Sequence, residues 1–193
     1  MEVAIVKYNA GNVQSVVHSL DRLGVSYRIT DDHEEIKAAD KVFFPGVGEA
    51  STAMKYLKAK NLHTLLKELT QPVLGVCLGL QLMCRYSEEN STTCLGIFDL
   101  DVKKFEPKMK VPHMGWNNLL ALEGNLVQGL QENSYVYFVH SYYAPVCEFT
   151  VAKTEYINPF SAALKRDNFY AVQFHPEKSS TPGNKIIQNF LSL

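Results

Sequence analysis

No stretch of this 193-residue sequence stays apolar long enough to cross a bilayer. The longest candidate, residues 73–84, is interrupted by Gly75, Gly79 and Gln81 and falls well short of the roughly 18 residues a spanning helix needs. Cysteine is scarce. Cys77, Cys84, Cys94 and Cys147 include no C-x-x-C pair, which argues against a disulfide framework or a zinc site and for free thiols. Neither sign of charge is in excess: 19 Lys and Arg against 20 Asp and Glu give −1, so no global field draws the chain onto nucleic acid or anionic lipid. Glycine-rich phosphate loops are missing too, because Gly46-Val47-Gly48 lacks the third glycine of a dinucleotide fingerprint. No H-x-x-x-H pair or acidic-histidine cluster suggests a metal, and no cofactor is expected. Residues 1–7 carry an acid where a signal peptide has basic residues, so they read as a first strand of a cytoplasmic protein.

With 46% hydrophobic and 20% charged residues, the composition is that of an ordinary globular chain, and its length suits one domain over residues 1–193. The first half alternates strand and helix patterns. Val3 to Tyr8 is a strand, and Val13, Val16, Val17, Leu20 and Leu23 recur at helical spacing between an Asn12 N-cap and a Gly24 stop. Strands follow at residues 25–30, 42–44 and 73–76, with helical patterns over 50–69 and 78–86. Such alternation predicts an α/β fold built on an open, mostly parallel sheet flanked by helices. The second half is strand-rich, with candidates at 102–105, 118–122, 135–143, 149–156, 162–165 and 169–174, which predicts a mixed or antiparallel extension. A final amphipathic helix is expected over residues 183–191. Lys103, Lys104, Lys108 and Lys110 form a basic stretch interrupted by Glu106 and free of interleaved aromatics, which reads as a solvated strand edge.

Gly75-Val76-Cys77-Leu78-Gly79 places a cysteine where a buried strand meets a helix. That turn projects a nucleophile above the sheet edge, and the helix start favours its thiolate; Cys77 is therefore expected to be exposed and reactive. The alternative is a small buried hydrophobe. His175-Pro176-Glu177 follows another strand pattern, so an imidazole at a neighbouring strand end is available to activate Cys77, with Glu177 orienting the ring; a surface ion pair from Glu177 to Lys178 is the competing reading. Acyl chemistry also needs donors for an oxyanion. The Leu78 N–H is one, and the Pro45-Gly46-Val47-Gly48 loop offers a second at Val47, unless it is an ordinary tight turn. His18, His33 and His63 read as surface residues, and His113 and His140 as hydrogen-bonded structural ones.

Five segments carry a family resemblance: Phe44-Pro45-Gly46-Val47-Gly48, residues 75–82, Val111-Pro112-His113-Met114-Gly115-Trp116-Asn117, residues 137–142, and residues 173–180. Together they resemble the class I glutamine amidotransferases, of flavodoxin-like fold, over nearly the whole length. The P-H-M-G-W-N and H-P-E-K-S-S strings are similar to the branch that serves histidine biosynthesis. The resemblance implies that Cys77 attacks the side-chain amide of glutamine while His175 moves the proton and Glu177 orients it. It further implies that Gly48, Gln81, Glu89, Ser141 and Tyr142 hold the substrate. Ammonia is the useful product, and since free ammonia is largely protonated in neutral water, a sealed route to a partner is required. In that branch the partner is the (β/α)8 cyclase subunit of imidazole glycerol phosphate synthase, and glutaminase activity stays low until it and its ligand are bound. Asn12, Trp116 and Lys178 are the candidate docking residues, with a buried core position the alternative for Trp116. A glutaminase of another class I pathway, a same-fold interaction module with an idle site, and a cysteine peptidase or stress protein are the rival readings.

Overall fold

The computed structural model describes residues 1–10 and 13–193. The Asn12 cap and docking candidate lies outside the described residues. The first half alternates as its pattern implies: β1 (Glu2–Val6), α1 (Val13–Arg22), β2 (Ser26–Thr30), α2 (His33–Ala38), β3 (Lys41–Gly46), α3 (Ala50–Ala59), α4 (Leu62–Glu68), β4 (Val73–Cys77) and α5 (Leu78–Met83). The second half adds β5 (Cys84–Ser87), β6 (Thr92–Thr93), β7 (Phe98–Lys104), β8 (His113–Asn118), β9 (Tyr135–His140), β10 (Tyr142–Tyr143), β11 (Thr150–Tyr156), β12 (Asn158–Arg166), β13 (Phe169–Val172) and α6 (Ser180–Leu191).

The main sheet has the order β11-β12-β13-β4-β3-β1-β2. Strands β2, β1, β3, β4 and β13 are mutually parallel, while β12 and β11 continue the sheet antiparallel at one edge. This is the open α/β sheet with an antiparallel extension that the strand and helix patterns imply. Burial on both faces follows from the two-residue period of a strand. In β1, Ala4 and Val6 enter the core under α3 and α4, whereas Val3 and Ile5 join the opposite core with α1 and α6. A second, four-stranded sheet of order β10-β7-β5-β6 and a β8–β9 hairpin complete the molecule.

Several boundaries differ from the sequence reading. The helix expected over 78–86 stops at Met83, because residues 84–87 pair with β7 instead. Strand β7 begins at Phe98 rather than 102, its Phe98, Leu100 and Val102 alternating inward. The strand placed at 118–122 lies earlier, at His113–Asn118, where it pairs antiparallel with β9; Leu120 forms only an isolated bridge to Lys153. Helix α2 was not anticipated. It buries Ile36 alone and is held by its Asp32 N-cap, which accepts from the N–H groups of Glu34 and Glu35, so it has no periodic signature to read. Lys103 and Lys108 pair with Glu88 and Glu106 at the surface, in keeping with a solvated edge.

Adjacent strands β3, β4 and β13 place their C-terminal ends side by side, with Gly46 opposite Cys77 and Val172 opposite Val76. Close packing of α5 on β3 makes this possible. A Cβ added to Gly79 would lie 1.9 Å from the carbonyl oxygen of Phe44, a backbone atom that cannot give way. Gly79→Ala is therefore expected to destabilise the fold by about 3 kcal/mol, the upper range for overpacking. Urea unfolding checks this, and a loss below about 1 kcal/mol would contradict the packing account.

Candidate active site

Cys77 ends β4 and caps α5, with φ 55° and ψ −106°, a left-handed backbone conformation that non-glycine residues rarely adopt. The strained turn aims the side chain off the sheet edge, as the glycine-flanked pattern implies. Contrary to the expectation of exposure, Cys77 is only 7% exposed. It lines a cavity of about 400 Å³ rather than the outer surface, because β9 covers it: the Val139 carbonyl lies 3.9 Å from its Sγ.

His175, three residues beyond the end of β13, lines the same cavity. Its Nδ1 lies 2.8 Å from Glu177 Oε1, and both side chains are 3% exposed. A surface pair between Glu177 and Lys178 is thereby replaced by a buried histidine–carboxylate pair. The ring's other nitrogen, Nε2, is buried and has no hydrogen-bond partner among the described residues. Burial lowers the His175 pKa, but the Cys77 sulfur and the Glu177 carboxylate outweigh it and raise the value to about 10. The two groups that act on the ring are thus the Cys77 sulfur and the Glu177 carboxylate. The turn that carries them is packed tightly: a Cβ on Gly183 of α6 would meet the Pro176 carbonyl at 2.0 Å.

Around the same cavity stand Val47, Gly48, Leu78, Gln81, Glu89, Ser141 and Tyr142, the positions singled out from sequence as oxyanion donors and substrate contacts. They arrive from the loop after β3, from α5, from the turn after β5 and from the β9–β10 junction. Leu78 opens α5, so its N–H has no acceptor within the helix. Val47 differs. Its N–H donates to the Ala10 carbonyl at 2.5 Å, so this amide is engaged away from the cavity as the chain is folded. Glu89 accepts from the Ala50 N–H at 2.7 Å, and burial raises its pKa against that bond.

Sequence reasoning missed two features. Gln173, fully buried, approaches the Cys77 sulfur at 3.7 Å, and the hydroxyl of Tyr8, buried and unpartnered, lies against Gly46. Burial, then the Cys77 charge, push the Tyr8 pKa far above its ordinary value. A polar side chain set between the apolar Val172 and Phe174, two residues before His175, was the available signal for Gln173; Tyr8 had none beyond its place at a strand end. His18, His33 and His63 lie outside the cavity, while His113 and His140 hydrogen-bond each other at 3.1 Å. All four cysteines are free thiols. Trp116 is 52% exposed on β8, which excludes the core reading, and Met114 and Tyr135 are exposed with it on the β8–β9 hairpin. Lys178 is also exposed.

Similarity to known proteins runs over nearly the whole chain. The family model described as glutamine amidotransferase class-I matches residues 4–193. The imidazole glycerol phosphate synthase subunit HisH of Bacteroides fragilis is 61% identical, with both chains covered in full. The subunit of that name from Shewanella loihica is 45% identical over all of this chain and 91% of its own. A crystal structure of a glutamine amidotransferase superposes with a TM-score of 0.77 at 18% identity, covering 98% of this chain and 97% of that one. The structure of PurLQS from Thermotoga maritima gives 0.76 at 15% identity, covering 99% and 97%. At those identities the structures speak for the fold alone.

The His175 ring should hold its proton well above pH 6.5 and release it near pH 10. Glu177→Gln and Cys77→Ala should each move that midpoint down by about one unit or more, since each removes an interaction with the charged ring. A ring-proton NMR titration checks the direction, and an unmoved midpoint in Glu177→Gln would contradict the orienting role.

Proposed function

The chain belongs to the class I glutamine amidotransferases, and on that premise we propose that Cys77, His175 and Glu177 form its hydrolytic triad. It acts as the glutaminase subunit of an imidazole glycerol phosphate synthase in histidine biosynthesis, converting glutamine to glutamate and ammonia. One observation carries the residue assignment: a strained cysteine, a buried histidine–glutamate pair and the family's substrate positions converge on one cavity of about 400 Å³ from separate chain segments.

In this reading the Cys77 sulfur attacks the side-chain carbonyl carbon of glutamine, forming a tetrahedral oxyanion. The Leu78 N–H stabilises it, joined by the Val47 N–H once that amide leaves Ala10. Protonated His175 gives its proton to the leaving nitrogen, the C–N bond breaks, and ammonia departs from a thioester. His175 then takes a proton from water, whose oxygen attacks the thioester carbon, and glutamate leaves as the sulfur is regenerated. Glu177 keeps Nδ1 of the ring as the donor toward itself, which leaves Nε2 for the reacting groups. Gly48, Gln81, Glu89, Ser141 and Tyr142 hold the substrate around the cavity.

The partner subunit is a (β/α)8 cyclase that takes ammonia before water can protonate it. Its docking face is the exposed hairpin surface around Trp116 together with Lys178, extended by Met114 and Tyr135. Trp116 pairs in register with Tyr137, whose N–H donates to Ser179 Oγ at 2.9 Å and whose carbonyl accepts from the His175 N–H at 2.9 Å. Docking there bears directly on the segment that carries His175. With the Val47 amide held by Ala10, the isolated chain should hydrolyse glutamine slowly, and adding the partner with its ribonucleotide ligand should accelerate release of glutamate. Cys77→Ala should remove at least about a thousandfold of glutamine-dependent turnover while ammonia-dependent synthesis by the complex survives. Coupled assays of both activities decide it; equal loss of both would refute the division of labour.

A further inference from the structure

Gln173 is completely buried behind the cavity wall that Cys77 and Gln81 line, and no step of the reaction above uses it. One end of its carboxamide lies 3.7 Å from Cys77 Sγ and the other 3.1 Å from Nε2 of Gln81. A carboxamide has nearly the same shape either way round, so its polarity has to come from the surrounding network. The backbone carbonyl of Tyr142 supplies it. That oxygen can only accept, and Gln81 lies 3.0 Å from it, so Gln81 presents its N–H2 there. The same nitrogen must then meet the oxygen of Gln173, which turns the Gln173 N–H2 group toward the sulfur.

The Tyr142 carbonyl is itself held from the other side. His140 Nδ1 lies 2.7 Å from it, so this ring donates at Nδ1 and accepts at Nε2 from His113 Nδ1, 3.1 Å away. Burial lowers the pKa of both rings, to about 3 for His140 and about 4 for His113, so each is neutral and has a single ring proton. His113 Nε2 is thereby left to accept from Asn117 Nδ2 at 3.4 Å, and Asn117 adjoins the exposed Trp116. Donors from the β8–β9 hairpin, at His140, and from α5, at Gln81, thus converge on one carbonyl.

We propose that Gln173 is a positioning residue for the glutaminase reaction, its side-chain N–H holding the Cys77 sulfur as thiolate in line with the substrate cavity. A thiol sulfur is a weak acceptor and a thiolate a strong one, so a donor fixed at this place favours the reactive form. The same amide ties the nucleophile to Gln81, the substrate contact one helical turn away, so the two keep a common geometry. Tyr8, Glu89, His140, Tyr142 and His175 are the other titratable groups around the sulfur, and they are unchanged by substitution at Gln173. The proposal rests on the reading of Cys77 as nucleophile.

The test uses the full chain. Alkylation of Cys77 by iodoacetamide, followed across pH by mass spectrometry of its peptide, should show a midpoint about one pH unit higher in Gln173→Leu than in the wild type. With the partner present, kcat should fall about tenfold while KM changes less than about twofold, as loss of one hydrogen bond to the reacting charge requires. An unchanged alkylation midpoint in a Gln173→Leu chain whose circular dichroism matches the wild type would overturn the proposal. Should that variant not fold, the wild type decides: the Gln173 side-chain amide resonance should shift with the Cys77 alkylation midpoint, and an amide that stays still overturns it. Alkylation is read without glutamine turnover, so a failed glutaminase assay in Cys77→Ala and a failed result here remain distinguishable.

Discussion

Three parallel strands that end side by side are the constraint on which this site depends. Register places Gly46 beside Cys77 and Val172 beside Val76, so whatever follows β3, β4 and β13 must meet at one edge of the sheet. Hydrogen bonding between strands sets that meeting to within a residue, because a one-residue slip would turn every buried side chain to the wrong face. Cys77, His175 and the glycine loop are far apart in the chain, and only this pairing brings them together. Gly79 and Gly183 lock the result, each lying where a side-chain carbon would strike a backbone carbonyl of the neighbouring segment.

Burial then turns placement into chemistry. Removed from water, the Cys77 sulfur and the Glu177 carboxylate act on His175 with little screening, and the ring keeps its proton despite a desolvation penalty that alone would strip it. His140 and His113 show the opposite outcome in the same region. Lacking such partners, they yield to burial and stay neutral, which suits them to relay fixed hydrogen bonds rather than move protons. Three buried histidines near one cavity therefore divide into one that carries charge and two that set polarity, and the difference is the Cys77 sulfur and the Glu177 carboxylate beside the first.

The site is assembled but not fully armed. Of the two proposed oxyanion donors, the one at Leu78 follows from the helix start, while the one at Val47 is bonded to Ala10. A glutaminase that worked alone would release ammonia to be protonated and lost, and on the proposed reading an amide that must be freed links turnover to the presence of an acceptor. The exposed aromatic surface of the β8–β9 hairpin and the segment that carries His175 are joined through Tyr137, which gives the proposed docking a short physical route to the site.

Local pattern in the sequence determined much of this. Alternating strands and helices, the glycine-flanked cysteine, the H-P-E string and the loop around Val47 each announce themselves within a few residues, because strand period, helix caps and turn glycines are short-range physics. Short-range signals failed where structure is set by distant partners: residues 84–87 leave a helical pattern to pair with β7, and α2 exists through one cap and one buried isoleucine. Exposure of Trp116, burial of Cys77 and the engagement of the Val47 amide were likewise decided only by folding, since each depends on which segment covers it. Gln173 is the sharpest case. Its identity is plain in the chain, but which end of its amide faces the sulfur is dictated by a carbonyl thirty-one positions away that only the tertiary structure brings within reach.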